Sequence, residues 1–303
     1  MTRLPSSPRA AQLAPIPALV VSFLLGCSAP TELLDIAYDD RFGEATTLDL
    51  FLPRAPGLDA SRAAPLVVLL HGGLFQKGDK SDARAAATRL AASGYVAASL
   101  NHRLGPGAPF PAAIRDVACA LSFLREGAAH YGLDPDRVAL VGYASGAYLS
   151  AMIGVAAGAD DLAPDCAAGE SGPPSAVFAS AGLYDLTTLA DEGPVQDFLG
   201  GTLEELPERY AQASPLLRVA PGAPPFLLVH GEFDFIVPPE QSHRMRDALE
   251  AAGNDVRLLS LFDPGHFLAA GADNGGLYGG GVQQRPESWI VLVDFLEQTL
   301  GTP

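Results

Sequence analysis

The stretch Val138-Ala-Leu-Val-Gly-Tyr-Ala-Ser-Gly-Ala-Tyr-Leu149 reads as a buried strand, a tight turn and the start of a helix. In such a turn one residue stands at the apex in a strained backbone conformation. The residues two before and two after it must be small, because strand and helix nearly touch there. Gly142 and Gly146 meet that demand and set the apex at Ala144. Moving the apex to Ser145 would put Tyr143 and Ala147 at the crowded flanks, where an aromatic ring does not fit. Ser145 is better read as the first helical residue, its backbone N–H directed toward negative charge developing at the turn.

Outward from this turn the chain alternates strand and helix. Upstream, residues 35–38 and 47–53 alternate like a hairpin at a sheet edge, and Pro65-Leu-Val-Val-Leu-Leu70 is apolar on both faces. A helix is expected over 82–93, stopped by Gly94, then a strand over 95–100. A long helix follows from Phe110-Pro111 to about Tyr131, with Ile114, Val117, Ala118, Leu121 and Leu124 at helical spacing. Asp134-Pro135-Asp136 turns it into the central strand. Downstream come a loop (158–173), a strand (176–179), helical cap material (183–218), a strand (226–230), a helix (239–252) and a strand (256–261). A Gly-rich loop near 271–285 precedes a last helix over 287–300. The expected fold class is α/β: a mostly parallel central sheet with helices on both faces and a small helical cap, in one domain spanning 34–303 with its loop and cap region at 158–220.

The 303 residues are 48% hydrophobic, enough for one large core. A net charge of −16, scattered along the chain, excludes phosphate-backbone recognition, so no nucleic-acid partner is expected. Arg3 and Arg9 precede an apolar segment from Ile16 to Leu25 that is too short for a membrane span and reads as a signal peptide over 1–26. Its ending, Leu24-Leu25-Gly26-Cys27, resembles the lipobox of bacterial lipoproteins. That resemblance implies cleavage before Cys27, lipid attachment to this residue, a tether over 27–33 and membrane association. Ser28 resembles the outer-membrane sorting pattern. Cys119, in an expected helix, and Cys166, in a loop, either form a disulfide, which an exported compartment permits, or remain two buried thiols.

Candidate chemistry gathers on loops beyond strand ends. Asp234 lies in His-Gly-Glu-Phe-Asp-Phe-Ile-Val-Pro (230–238), directly after a buried strand, and His266 lies in Phe-Asp-Pro-Gly-His-Phe (262–267), 32 residues on. An acid so placed can orient an imidazole and stabilise its cationic form, while the histidine takes and returns a proton. Glu232 and Asp263 are competing carboxylates. Asp185 begins a helical pattern and reads as an N-cap. His230 ends a core strand and reads as structural; His102, His130 and His243 lack metal-ligand spacing, so neither a metal nor another cofactor is expected.

Five ordered motifs carry a family resemblance: His-Gly-Gly-Leu-Phe-Gln-Lys-Gly-Asp-Lys (71–80), Asn-His-Arg-Leu (101–104), Phe-Pro-Ala-Ala-Ile-Arg-Asp-Val (110–117), Tyr-Gly-Leu-Asp-Pro-Asp-Arg-Val (131–138) and the 138–149 turn. Over residues 34–300 the chain resembles α/β-hydrolases, specifically bacterial carboxylesterases related to feruloyl and acetyl-xylan esterases, hormone-sensitive-lipase-like enzymes and kynurenine formamidases. The resemblance implies the α/β-hydrolase fold and a Ser-Asp-His mechanism. Asp234 and His266 would be the acid and base, and the N–H groups of Gly73, Leu74 and Ser145 the oxyanion hole. Two departures stand out. Leu74 and Phe75 replace a glycine and a tryptophan common in the family, and Ala144 stands where the family carries its nucleophilic serine. Phe75, Leu183, Tyr184, Phe235 and Phe267 are the expected walls of a pocket for a small ester. Four readings stay open on sequence: an esterase whose serine has been replaced, a lipid-anchored binding protein, hydrolysis by His266 and water, and hydrolysis through Ser145 or of an amide or peptide.

Overall fold

The computed structural model describes residues 29–53, 63–169, 171–262 and 286–303. Its frame is an eight-stranded sheet: β1 (Thr31–Ala37), β2 (Thr47–Leu52), β3 (Ala64–Leu70), β4 (Val96–Leu100), β5 (Leu133–Tyr143), β6 (Ala176–Ser180), β7 (Phe226–Gly231) and β8 (Val256–Leu261). The spatial order is β1-β2-β4-β3-β5-β6-β7-β8. The β1–β2 and β2–β4 pairs are antiparallel and every other pair is parallel, so β2 alone runs against the rest. This is the expected α/β architecture, with the hairpin at one edge.

Strand alternation assigns the two faces. Val67, Leu69, Ala139, Val141, Phe178 and Val229 point to one side, under α1 (Arg84–Ala92) and α8 (Pro286–Leu300), the latter contributing Trp289, Leu292 and Phe295. Leu66, Val68, Leu70, Val138 and Leu140 point to the other, under α2 (Ala112–Glu126) and α4 (Ser145–Ala156). On that second side α7 (Glu240–Ala251) covers Val177, Ala179, Phe226 and Leu228 through Met245 and Leu249. Both faces are apolar because both are roofed by helices.

Local chemistry moves some boundaries. The long helix breaks at Gly127 into α2 and α3 (Ala128–Tyr131); a Cβ at Gly127 would come within 2.7 Å of the Tyr131 ring packed against it. The expected turn at 134–136 lies inside β5, where the pairing register with β3 jumps between Pro65 and Leu66. The first turn of the 82–93 region is a 3-10 segment (Lys80–Ala83) closed by an Asp79–Asp82 capping box. Cap material appears as α5 (Gly193–Leu199) and α6 (Pro207–Gln212), flanked by short 3-10 turns. Cys119 on α2 and Cys166 in the 158–173 loop are joined in a disulfide, which resolves the alternative left open by the sequence.

Candidate active site

The candidate groups converge at the carboxyl ends of the parallel strands. Ala144 follows β5 with φ 50° and ψ −116°, a conformation outside the regions that L-residues favour. Its N–H donates to the Ser180 carbonyl (2.9 Å) and its carbonyl accepts from Tyr148 N (3.0 Å), so the strained residue is clamped on both sides. A Cβ on Gly142 would lie 2.1 Å from the Gly146 carbonyl oxygen, and one on Gly146 would lie 2.1 Å from the Leu70 oxygen and 2.6 Å from the His71 oxygen. Those contacts are with backbone, which cannot yield, and they explain why both positions are glycine. Ser145, the next residue, is 1% exposed, and among the described residues its hydroxyl has no hydrogen-bond partner.

The loop after β3 lies beside this turn, since Leu70 pairs with Gly142. Gly73 (φ 118°), Leu74 (φ 53°) and Phe75 (φ 64°) form a run of left-handed residues. The turn is closed by Gln76 N and Lys77 N donating to the Gly73 carbonyl at 3.1 and 3.2 Å. A Cβ on Gly73 would strike the Lys77 carbonyl oxygen at 2.0 Å. The two residues carrying non-glycine positive φ here include Leu74, so the leucine keeps the left-handed turn despite its side chain. His71 anchors the loop: its buried Nδ1–H donates to the Gly72 carbonyl (2.8 Å), and its ring stacks on His102 at 4.5 Å. Burial lowers the His71 pKa. Burial, then the neighbouring His71, pushes the His102 imidazole down to about 3. Two stacked rings held in the uncharged form thus support the loop.

On the other side of the turn, Tyr143 pairs with Ser180 and Ser180 with Val229, so β7 lies two strand spacings, about 10 Å, from β5. Asp234, just past β7, is 5% exposed. Its Oδ1 accepts from Ile236 N and Val237 N, both at 2.9 Å, and its Oδ2 lies 3.2 Å from His230 Nε2. Two backbone donors fix one oxygen of the carboxylate, and the His230 ring lies against the other. The Tyr143 phenol is driven to high pKa by burial and then by the Asp234 charge, which ties the acid electrostatically to the residue before the apex. Glu232 instead faces Ser260 and His243; the Ser260 hydrogen bond is the main reason its carboxyl sits below the usual range. Asp263, His266, Phe267 and Cys27 lie outside the described residues.

Other expected residues are distributed differently. Leu183 is buried in the α2–α4 side of the core. Tyr184 has no exposed surface and packs with Ala147, Ala151 and Met245. Phe75 is 2% exposed; it stacks on Phe198 of α5 at 4.0 Å and meets the Tyr148 edge at 5.1 Å, docking the cap onto the 71–80 loop and α4. Phe235 is 82% exposed, and Phe233 and Phe262 form an edge-to-face pair near it on the surface.

Several family motifs prove architectural. Arg103 grips Asp116 through Nε and Nη2 at 2.6–2.9 Å, joining the 101–104 and 110–117 motifs. Arg137 donates to Ala63 and Leu300 carbonyls and pairs with Asp134, closing the 131–138 motif against the chain end. Asp185 caps its 3-10 turn by accepting from Thr187 N, as read from sequence, and also pairs with Arg244. Gln241 was not singled out by sequence: its Oε1 accepts from Tyr184 N and Asp185 N at 2.7 Å, and its Nε2 donates to Asp185 O and Thr188 Oγ1. It fastens the segment after β6 to α7. Among the described residues, Asp39 and Asp165 approach Cys119 closely enough to suggest metal ligation, but they clasp Arg41 and the sulfur is in the disulfide.

Residues 48–249 match the BD-FAE family, two thirds of the chain and every described element from β2 to α7. The chain is a member of the BD-FAE family. Among its relatives, Esterase LipQ of Mycobacterium tuberculosis is 32% identical over 229 residues, covering 72% of this chain and 53% of LipQ. Esterase LipC of the same organism is 31% identical over 215 residues, covering 68% and 53%. The BD-FAE chain therefore spans about half the length of these curated relatives. A thermophilic esterase of Thermogutta terrifontis, solved with butyrate bound, superposes over 91% of this chain and 96% of its own, with a TM-score of 0.72 at 21% identity, which is a likeness of fold.

Proposed function

We propose that this BD-FAE member is a carboxylic-ester hydrolase scaffold whose nucleophile position is occupied by Ala144, leaving an ester-binding site with little or no turnover. The observation that carries the reading is the backbone at Ala144: φ 50° and ψ −116° between two glycines that no side chain could replace. A strained apex persists where the surrounding structure over-determines it, and such geometry belongs to sites that present a side chain to substrate. With a serine at the apex, its oxygen would attack the ester carbonyl and His266 would take the proton. Asp234 would hold the imidazole, and the N–H groups of Gly73, Leu74 and Ser145 would receive the oxyanion. Alanine removes only the first of these parts.

Small carboxylic esters are the proposed ligands, supported by relatives named as esterases and by the butyrate carried by the Thermogutta enzyme. Export and lipid anchoring through Cys27 complete the proposal; the Cys119–Cys166 bridge supports an oxidising compartment. Hydrolysis through Ser145 is disfavoured by its burial and by the two glycines that set the apex at position 144.

Turnover of p-nitrophenyl acetate and butyrate by the full chain and by Ala144→Ser tests the reading. Loss of a triad serine costs about 10⁶-fold in kcat in subtilisin, or ~8 kcal/mol of barrier, so the serine variant should exceed the unaltered chain by several orders of magnitude. Comparable turnover by both proteins would refute it.

A further inference from the structure

The geometry points to His230 as a positioning residue for Asp234, with Ser242 fixing its tautomer. This rests on the reading of Asp234 as the acid of the site. His230 ends β7 and is fully buried. Its Nε2 lies 3.0 Å from the Val237 carbonyl oxygen and 3.2 Å from Asp234 Oδ2, two acceptors that a ring nitrogen can satisfy only by carrying the proton. Its Nδ1 lies 2.6 Å from Ser242 Oγ in the first turn of α7, so in the neutral ring this nitrogen accepts the hydroxyl proton, which sets the tautomer. The Nε2–H therefore donates to the loop carbonyl, with Asp234 Oδ2 3.2 Å from the same nitrogen.

The consequence is a division of labour within one carboxylate. The backbone N–H groups of Ile236 and Val237 hold Oδ1, and His230 holds Oδ2 against rotation about the terminal bond of the side chain. A carboxylate that must meet an imidazole on another loop loses its directing value if that bond turns freely. The same ring fastens residue 237 to residue 230, closing the acid loop across its base, and Ser242 couples the loop to α7. Sequence displays only a histidine four residues before the acid; the serine twelve residues beyond the histidine becomes its partner because α7 folds back over β7.

Amide replacements isolate the Nε2 donor. Glutamine at 230 can present an N–H where Nε2 stands, whereas asparagine reaches only to the Nδ1 position; both exchange the buried imidazole for an amide. In the Ala144→Ser background, His230→Gln should keep kcat on p-nitrophenyl butyrate within a few-fold. His230→Asn should lower kcat tenfold or more with KM within twofold, at similar thermal midpoints. Equal kcat losses in both variants, tracking equal losses of thermal midpoint, would reduce His230 to packing and overturn the inference. A second measurement needs no turnover and uses the unaltered chain. The ¹⁵N imidazole spectrum, with His230 assigned by loss of its signals in His230→Gln, should show protonated Nε2 and bare Nδ1 at neutral pH, with Asp234→Asn displacing the Nε2 resonance. Protonated Nδ1, or an Nε2 resonance indifferent to Asp234→Asn, would contradict the inference even if Ala144→Ser proves inactive and the proposed function itself fails.

Discussion

At the scale of the residue, position 144 carries the account. Alanine at φ 50° and ψ −116° bears a penalty of about 1–3 kcal/mol that glycine would not. Glycine adds about 0.5–1 kcal/mol of unfolded-state entropy against folding. Ala144→Gly should therefore stabilise the protein by about 1 kcal/mol, read from the urea midpoint at unchanged slope; a destabilised variant would mean that the apex is relaxed. The apex was legible in the sequence because glycine spacing is a steric requirement written directly in residue identity. Asp234 was legible as a candidate for a similar reason: it follows a buried run at the point where the chain leaves the sheet. His230 was read only as a structural residue, because its partner at Ser242 lies on a different element and nothing in local spacing joins them. The burial of Tyr184 was not legible, because an aromatic just beyond a strand end has two places to go, and only packing against α4 and β6 decides between them.

At the scale of the element, apolar runs identified the parallel strands and their helices with small errors of boundary. The errors have common causes. Gly127 interrupts a helical pattern that continues on both sides, so periodicity alone reads one helix where there are two. Asp134-Pro135-Asp136 has turn chemistry, yet it sits inside β5 as a register jump, since β3 resumes pairing on its far side. The 71–80 loop was recognised by its motif, but its stiffness comes from groups far apart in the chain: the His71–His102 stack and the Phe75–Phe198 stack. Those contacts hold the loop between the sheet and the cap, which suits donors that must not reorganise during a reaction. Cys119 and Cys166 are 47 residues apart, and no rule of spacing could pair them; the bridge follows from α2 lying alongside the 158–173 loop.

At the scale of the whole molecule, strand order brings the pieces together. The loop after β3 and the turn after β5 come from adjacent strands, while the acid comes from β7 beyond β6, so segments near residues 73, 144 and 234 share one edge of the sheet. Chain order alone could not supply this arrangement; the resemblance to a known fold did. If Cys27 carries the anchor, the full chain should partition into the membrane fraction of a bacterial host and resist high-salt extraction, and Cys27→Ser should release it to the soluble fraction. A wild-type chain already soluble would remove the anchor from the proposal. The central claim is that position 144 is the vacant nucleophile site of an otherwise intact ester-binding edge. Reaction of the full chain and of Ala144→Ser with an organophosphate such as paraoxon, followed by peptide mass mapping, tests it most directly. The account predicts one phosphoryl adduct on the introduced serine at position 144 and none on the unaltered chain. An adduct on Ser145 of the unaltered chain would contradict it.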